Sequence, residues 1–378
     1  MNKLFWLGLA GWILFESSNV YFIMPMPGSQ QMNSLDLAYF LYTWRWLFRA
    51  LFAGLILLGF RHVHWKKKWH MALPFAALLG VIYLFNFNMA ADHMFYQPSR
   101  VIFKNASQNE VDSNRLVIGL THQGEAKAYP IRFMGYHHQL LDTVGGKAVL
   151  VTYCTVCRTG RVYEPRVNGK PETFRLVGMD HFNAMLEDKT TKSWWRQVNG
   201  EAVAGKLKGS MLPEVFSIQC RLEEWIKLHP HTLIMQADST YIDSYPDNNK
   251  FESGKSKSKL TGTDSLSWNR KSWVVGIRTP QASKAYDWNR LKSEWIIHDE
   301  VRGTPVLLVL ASDTASFFAF ERPGPDARFT LERDTLYLDQ HRFDLKGRGL
   351  DTTVSLKPLQ AYQEFWHSWE TFNPGTLR

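Results

Sequence analysis

The chain has 378 residues, enough for two or three structural units, with 45% hydrophobic and 14% aromatic residues and a formal net charge of +9. Lys3, Arg45, Arg49, Arg61 and Lys66 to Lys68, against Glu16 and Asp36, place much of that surplus before residue 92. The rest carries no strong basic footprint, so no nucleic-acid partner is expected.

In chain order, residues 4–24, 39–60 and 72–91 read as three transmembrane helices. The second contains Arg45 and Arg49, which need snorkelling or a partner inside lipid. No cleavable signal peptide is evident. The basic loop 61–70 should stay cytoplasmic, as should Lys3. Three spans then leave everything after residue 91 outside, anchored in an inner or plasma membrane, with the domain periplasmic or extracellular. No matched charged pair across the spans is apparent, which argues against transport.

After residue 110 short apolar runs are split by Gly, Pro and Asn, a pattern of strands and tight turns. VIGL, AKAYPI and AVLVTY read as strands, and LEEWIKLHP as a helix. Residues 117–151 align without a gap on 274–308. Gly119 meets Gly276, Lys127-Ala128-Tyr129 meets Lys284-Ala285-Tyr286, Asp142 meets Asp299, and Gly146 meets Gly303. The glycines suit turns that need positive φ, and the aspartates suit local turn anchors. His137, Cys154 and Cys157 become Glu294, Ala311 and Thr314 in the second copy. Chemistry is therefore expected in the first copy alone.

The expected fold is a mainly β (α+β) domain of two related lobes after about three transmembrane helices. Its parts are an anchor at 1–91, a first lobe at 92–245, a polar loop or linker at 246–272, and a second lobe at 273–378.

Tyr153-Cys154-Thr155-Val156-Cys157-Arg158-Thr159-Gly160 resembles the signature of the domain of unknown function 3179 family. His137 to Asp142 with Gly145-Gly146 is similar to that family's histidine-rich turn. Asp188, Thr191, Ser193, Trp195 and Gln197 resemble its later motif. The resemblance covers roughly residues 95–325 and implies no settled activity. Thr155 replaces the family's proline, and His138 stands where an acidic residue is usual.

Arg158 follows the second cysteine where c-type haem attachment needs His, so no haem c is expected. No helix is signalled after Cys157, which weakens a thioredoxin-like reading. A turn presenting both sulfurs, with His137 or His138 as a further ligand, suits a copper or zinc ion. The expected function is soft-metal handling or redox chemistry at Cys154, Cys157 and His137, with an extracytoplasmic metal or redox partner. Asp188, Ser193, Trp195 and Gln197 are candidate pocket residues, although Asp188 also suits a turn anchor. The alternatives are a dithiol–disulfide oxidoreductase and a structural module whose cysteines form a disulfide. Whether the protein is an enzyme stays open, and no catalytic residue is assigned. Cys220 reads as a buried small hydrophobe.

Overall fold

The computed structural model describes residues 2–65 and 67–378; Lys66 of the basic loop lies outside the described residues. The fold mixes α and β, with seven sheets among the described residues and none wider than five strands. Two units emerge: Met1–Tyr96 with Glu172–Arg196 and Glu201–Met211, and Gln97–Pro171 with Gln197–Gly200 and Leu212–Arg378.

The first unit holds α1 (Asn2–Tyr21), α2 (Leu35–Thr43), α3 (Arg45–Phe60), α4 (Ala72–Tyr83) and α5 (Ala91–Met94). α1 and α3 run antiparallel in close contact. Near one end a Cβ on Gly59 would lie 2.2 Å from the Phe5 nitrogen. Further along α1, Glu16 accepts from Arg49 Nε at 2.7 Å and Nη2 at 2.9 Å. Asn86 Nδ2 and Trp12 Nε1 complete its carboxylate, each at 2.9 Å. The partner Arg49 required is thus a charged pair between two helices, which the sequence reading had not found.

The expectation of three spans is corrected. Among the described residues one helical segment, Trp69–Asn88, is long and apolar enough to cross a membrane. The expected span at 39–60 is broken at Trp44, where α2 and α3 meet at 63°; the pair passes only if taken as one bent span. α1 has the length, but Glu16, Ser17, Ser18 and Asn19 dilute its apolar character.

A four-stranded antiparallel sheet completes this unit, in the order Ala202–Ala204, Trp194–Arg196, Asn183–Asp188, Phe174–Asp180. It joins the chain leaving α1, because the Met179 amide donates to the Ile23 carbonyl at 2.7 Å. Tyr39 and Tyr42 of α2 pack on the Trp194 ring at 5.0 and 5.3 Å.

In the second unit one series of elements occurs twice. Strands Leu116–His122 and Glu125–Pro130 form a hairpin followed by α6 (Ile131–His137). Strands Gln139–Val144, Lys147–Cys154 and Thr159–Tyr163 make the next sheet. Strand Ile218–Arg221 then returns beside Leu116–His122 and leads into α7 (Leu222–Leu228). The polar stretch contains α8 (Asn249–Glu252). Strands Trp273–Arg278 and Ser283–Asp287, α9 (Trp288–Glu294), and strands Ile296–Val301, Thr304–Leu310 and Phe317–Glu321 repeat the order. Strand Ala361–Phe365 returns beside Trp273–Arg278 and leads into α10 (Trp366–Phe372).

The repeat extends to individual contacts. Trp225 Nε1 donates to Thr232 Oγ1 at 2.7 Å, and Trp369 Nε1 to Thr376 Oγ1 at 2.8 Å. Asp142 receives Lys127 at 3.0 Å and the Tyr129 hydroxyl at 2.7 Å, while Asp299 receives Lys284 at 2.6 Å. These aspartates therefore bind side chains of the neighbouring sheet instead of anchoring a local turn. Gly146 and Gly303 do serve turns at positive φ, 78° and 88°. Gly119 and Gly276 serve another purpose, since each lies under a tryptophan ring. The C-terminal stretch adds a three-stranded meander, Thr330–Glu332, Thr335–Leu338 and His341–Phe343.

Candidate functional site

Cys154 closes the strand Lys147–Cys154, and Cys157 sits in the turn before Thr159–Tyr163. Neither is in a disulfide and neither has exposed surface, and the same holds for Cys220. Thr155 and Val156 separate the two cysteines at the turn 155–158, and each cysteine influences the other electrostatically. Burial pushes the Cys157 thiol well above its usual range, and Cys154 adds to this. A hydrogen bond with Ser368 of α10 works in the opposite direction.

A cation stands beside the pair. Lys271 Nζ donates to the Val156 carbonyl inside the Cys-x-x-Cys turn at 2.8 Å, and to the Leu260 carbonyl at 2.6 Å. Burial brings its pKa down to about 8, and the two cysteines partly restore it. His367 Nε2 lies 3.3 Å from Lys271 Nζ. Burial and the adjacent Lys271 push that imidazole down to about 3, so it is neutral.

Two arginines fix the turn. Arg158 donates to Gln363 Oε1 at 2.9 Å and to the carbonyls of Phe251 and Glu252 at 2.8 and 2.9 Å. Its guanidinium lies 3.6 Å from the Trp273 ring centroid. Arg161 pairs with Glu364, and neither side chain has exposed surface. Burial, the largest single influence, lowers the Arg161 pKa, but Glu364, Tyr362, Glu214 and Tyr163 together outweigh it and the net direction is upward. Glu364 also accepts from Thr159 Oγ1 at 3.1 Å and from Ser368 Oγ at 2.8 Å. The Phe365 amide donates to the Cys157 carbonyl at 3.0 Å. The first copy thus supplies the sulfurs, and the returning strand and helix of the second copy close over them.

His137 lies at the end of α6 with Nε2 2.8 Å from the Tyr245 hydroxyl. That hydroxyl also accepts from the Asp238 amide at 3.2 Å. His138 caps α6 at φ 62°, with burial bringing its pKa down to about 4. Its carbonyl accepts from the Tyr153 amide, next to Cys154. Among the described residues no group of three or more His, Cys, Asp or Glu side chains is placed to hold a metal ion.

The candidate pocket residues are buried. Asp188 accepts from the Thr191 amide and hydroxyl at 2.5 and 2.7 Å, the Ser193 amide at 3.1 Å and Trp195 Nε1 at 3.0 Å. That is the turn anchor. Gln197 donates to Thr152 Oγ1 at 3.0 Å and to the Thr159 carbonyl at 3.1 Å, tying the strands on either side of the cysteines.

The family described as "Protein of unknown function (DUF3179)" matches residues 97–376. The chain belongs to the DUF3179 family. The match runs past residue 325, where the expected resemblance ended, and takes in the element bearing Glu364, His367 and Ser368. No curated protein and no solved structure matches the chain. Sequence reasoning about this DUF3179 chain missed Lys271, Glu364, His367 and Ser368. The available signal was a glutamate inside the aromatic run QEFWHSW, where an unpaired charge would be costly.

Proposed function

We propose that Cys154 and Cys157 form a dithiol–disulfide redox centre. The observation that carries this reading is a pair of fully buried cysteines in one turn, not joined by a disulfide, with the Lys271 ammonium bound to the Val156 carbonyl of that turn. A CxxC pair reacts through one thiolate, and Lys271 supplies the opposite charge in a site closed to water. The neutral His367 adds no second cation. The oxidant is a disulfide compound, and because neither sulfur has exposed surface the turn must open locally for it to react. One thiolate attacks it, one thiolate of the oxidant leaves, and the second cysteine then displaces the other. The protein gains a disulfide and two thiols depart.

The N-terminal helices support membrane anchoring, and the loop containing Arg61 and Lys67 supports an extracytoplasmic placement of the second unit. Thiol counting on the full chain in detergent, across a series of oxidised and reduced glutathione mixtures, tests the redox reading. Reversible loss of two of the three thiols, abolished in Cys154→Ser, is expected. Three thiols under every condition would end it.

A second reading keeps the soft metal but narrows it. Two thiolates around Cu(I) carry one net negative charge, which the same lysine balances, and digonal Cu(I) needs no third ligand. Zinc, which wants four ligands, fits less well. Copper bound stoichiometrically after anaerobic loading with Cu(I), and absent in Cys157→Ser, would favour this reading over the first.

A further inference from the structure

We propose that the second unit carries a binding site for a small aromatic carboxylate, in a cavity between the two copies of the repeat. The cavity has a volume of about 240 Å³, and none of the cysteines lines it. It exists because two strands from different sheets meet without pairing. Ile218–Arg221 is an edge strand of the first copy, and Phe317–Glu321 of the second copy belongs to another sheet. The copies are pinned at either end of Ile218–Arg221. At one end the Arg221 amide donates to Ser316 Oγ at 2.9 Å. At the other, Gln360 Oε1 accepts from the Ser217 amide at 3.0 Å, and Gln360 Nε2 donates to the Ser217 carbonyl at 2.8 Å. The gap between these pins is the cavity.

Its lining has an apolar side and a polar end. Phe216, Phe318, Phe320 and Leu345 supply the apolar side, and Phe216 keeps 42% exposure that a bound ring would cover. Lys346 and His229 supply the polar end. Lys346 Nζ gives one proton to the Leu228 carbonyl at 2.7 Å, and two remain. Among the described residues Lys346 is the one charged side chain in the lining, and no carboxylate forms an ion pair with it. Asp344, two positions away, turns to Arg348 at 3.4 Å. The His229 imidazole lies against Trp225, ring centroids 4.2 Å apart, and makes no hydrogen bond among the described residues. Burial and Lys346 bring its pKa down to about 4, so the ring is neutral and offers one N–H.

The repeat supplies an internal comparison. Trp225 and Thr232 match Trp369 and Thr376, so His229 matches Asn373, and each caps its helix. The Asn373 side chain is fully engaged: Nδ2 donates to the Trp369 carbonyl at 2.9 Å, and Oδ1 accepts from Arg278 Nε at 2.8 Å. The first copy leaves the same position open toward the cavity.

Size and charge select the ligand. An apolar cavity of about 150 Å³ admits benzene, so this one admits about ten non-hydrogen atoms. A benzene ring on a short acid side chain fits, whereas a long acyl chain does not. The ammonium without a carboxylate matches a monoanion, whose two oxygens accept from Lys346 and from the His229 N–H while the ring lies among the phenylalanines.

The test uses the full chain in lipid nanodiscs free of detergent, whose alkyl chains would compete, and titrates phenylpropanoate by isothermal calorimetry. One-to-one binding is expected, with phenylpropanol at least about tenfold weaker and acetate inert. Lys346→Met should weaken the carboxylate about tenfold and leave the alcohol unchanged, while Lys346→Arg keeps the charge and most of the affinity. No saturable binding of phenylpropanoate at millimolar ligand, or equal affinity for acid and alcohol, would overturn the site. So would undiminished carboxylate binding by a folded Lys346→Met chain. Should that variant fail to fold, the acid and alcohol compared on wild type decide alone.

Discussion

The indole of Trp369 lies across Gly276 so closely that a Cβ on the glycine would sit 2.1 Å from Cζ3. Trp225 covers Gly119 in the same manner, at 2.3 Å. Both rings are fully buried and tied by their Nε1 hydrogen bonds, so neither can swing aside cheaply. Gly276→Ala and Gly119→Ala should each destabilise the chain by about 1–3 kcal/mol through overpacking. Urea unfolding followed by tryptophan fluorescence measures this; a change near zero for both would mean that the rings shift freely.

Lys271 makes stability depend on pH in a defined direction. Its pKa is about 8 in the folded chain against 10.5 for an ordinary lysine. Between those values the unfolded chain binds more protons, so this group raises stability as pH climbs from about 8 toward 10.5. Below 8 its charge costs the fold. Cys157 acts oppositely, because its raised pKa withdraws stability once unfolded thiols ionise. Comparing Lys271→Met with wild type isolates the lysine: the difference in unfolding midpoint should change steadily between pH 8 and 10. A constant difference would place the ammonium in water.

His367 predicts the acid side. Its imidazole is held neutral down to about pH 3, whereas an unfolded histidine titrates near 6.5. The unfolded chain therefore takes up a proton first, and stability from this group is lost as pH falls from 6.5 toward 3. His367→Gln should flatten that part of the curve, read from urea midpoints at pH 4, 5 and 7.

Much of this arrangement was legible in the sequence, for physical reasons that can be named. The Cys-x-x-Cys spacing keeps both cysteines at the ends of one turn between two paired strands, a purely local matter. The gapless repeat fixed the strands and hairpins around Gly146 and Gly303, because only local backbone conformation was needed. Long-range partners were not legible. Glu364 and Ser368 lie more than two hundred positions from Cys157, and nothing local in QEFWHSW reveals which strand its carboxylate faces. Lys271 ends a stretch whose polar composition suggested exposure, yet its carbonyls and ammonium line the cysteine turn. The broken helix at Trp44 escaped hydropathy because composition does not register a bend of 63°.

Asp188 separates a structural part from a chemical one. Its carboxylate receives four hydrogen bonds from the turn that follows it, so Asp188→Ala leaves buried donors unpaired. A loss of at least about 2 kcal/mol in stability is expected. Once folded, the variant should keep normal glutathione-dependent loss of two thiols. Abolished thiol chemistry in a fully stable Asp188→Ala chain would return this residue to the site.

The helical region offers the last contrast. Glu16 is saturated by Arg49, Asn86 and Trp12, and its carboxylate has 1% exposure. Removing one charge strands the other, whereas removing both leaves apolar helices that can still pack. Glu16→Ala should therefore cost about 3–5 kcal/mol, and Glu16→Met/Arg49→Met should recover most of that loss. Thermal unfolding of the full chain in detergent compares them. If the double variant were as unstable as the single one, charge pairing would not be what joins α1 to α3, and the close approach of Gly59 to Phe5 would have to carry that contact instead.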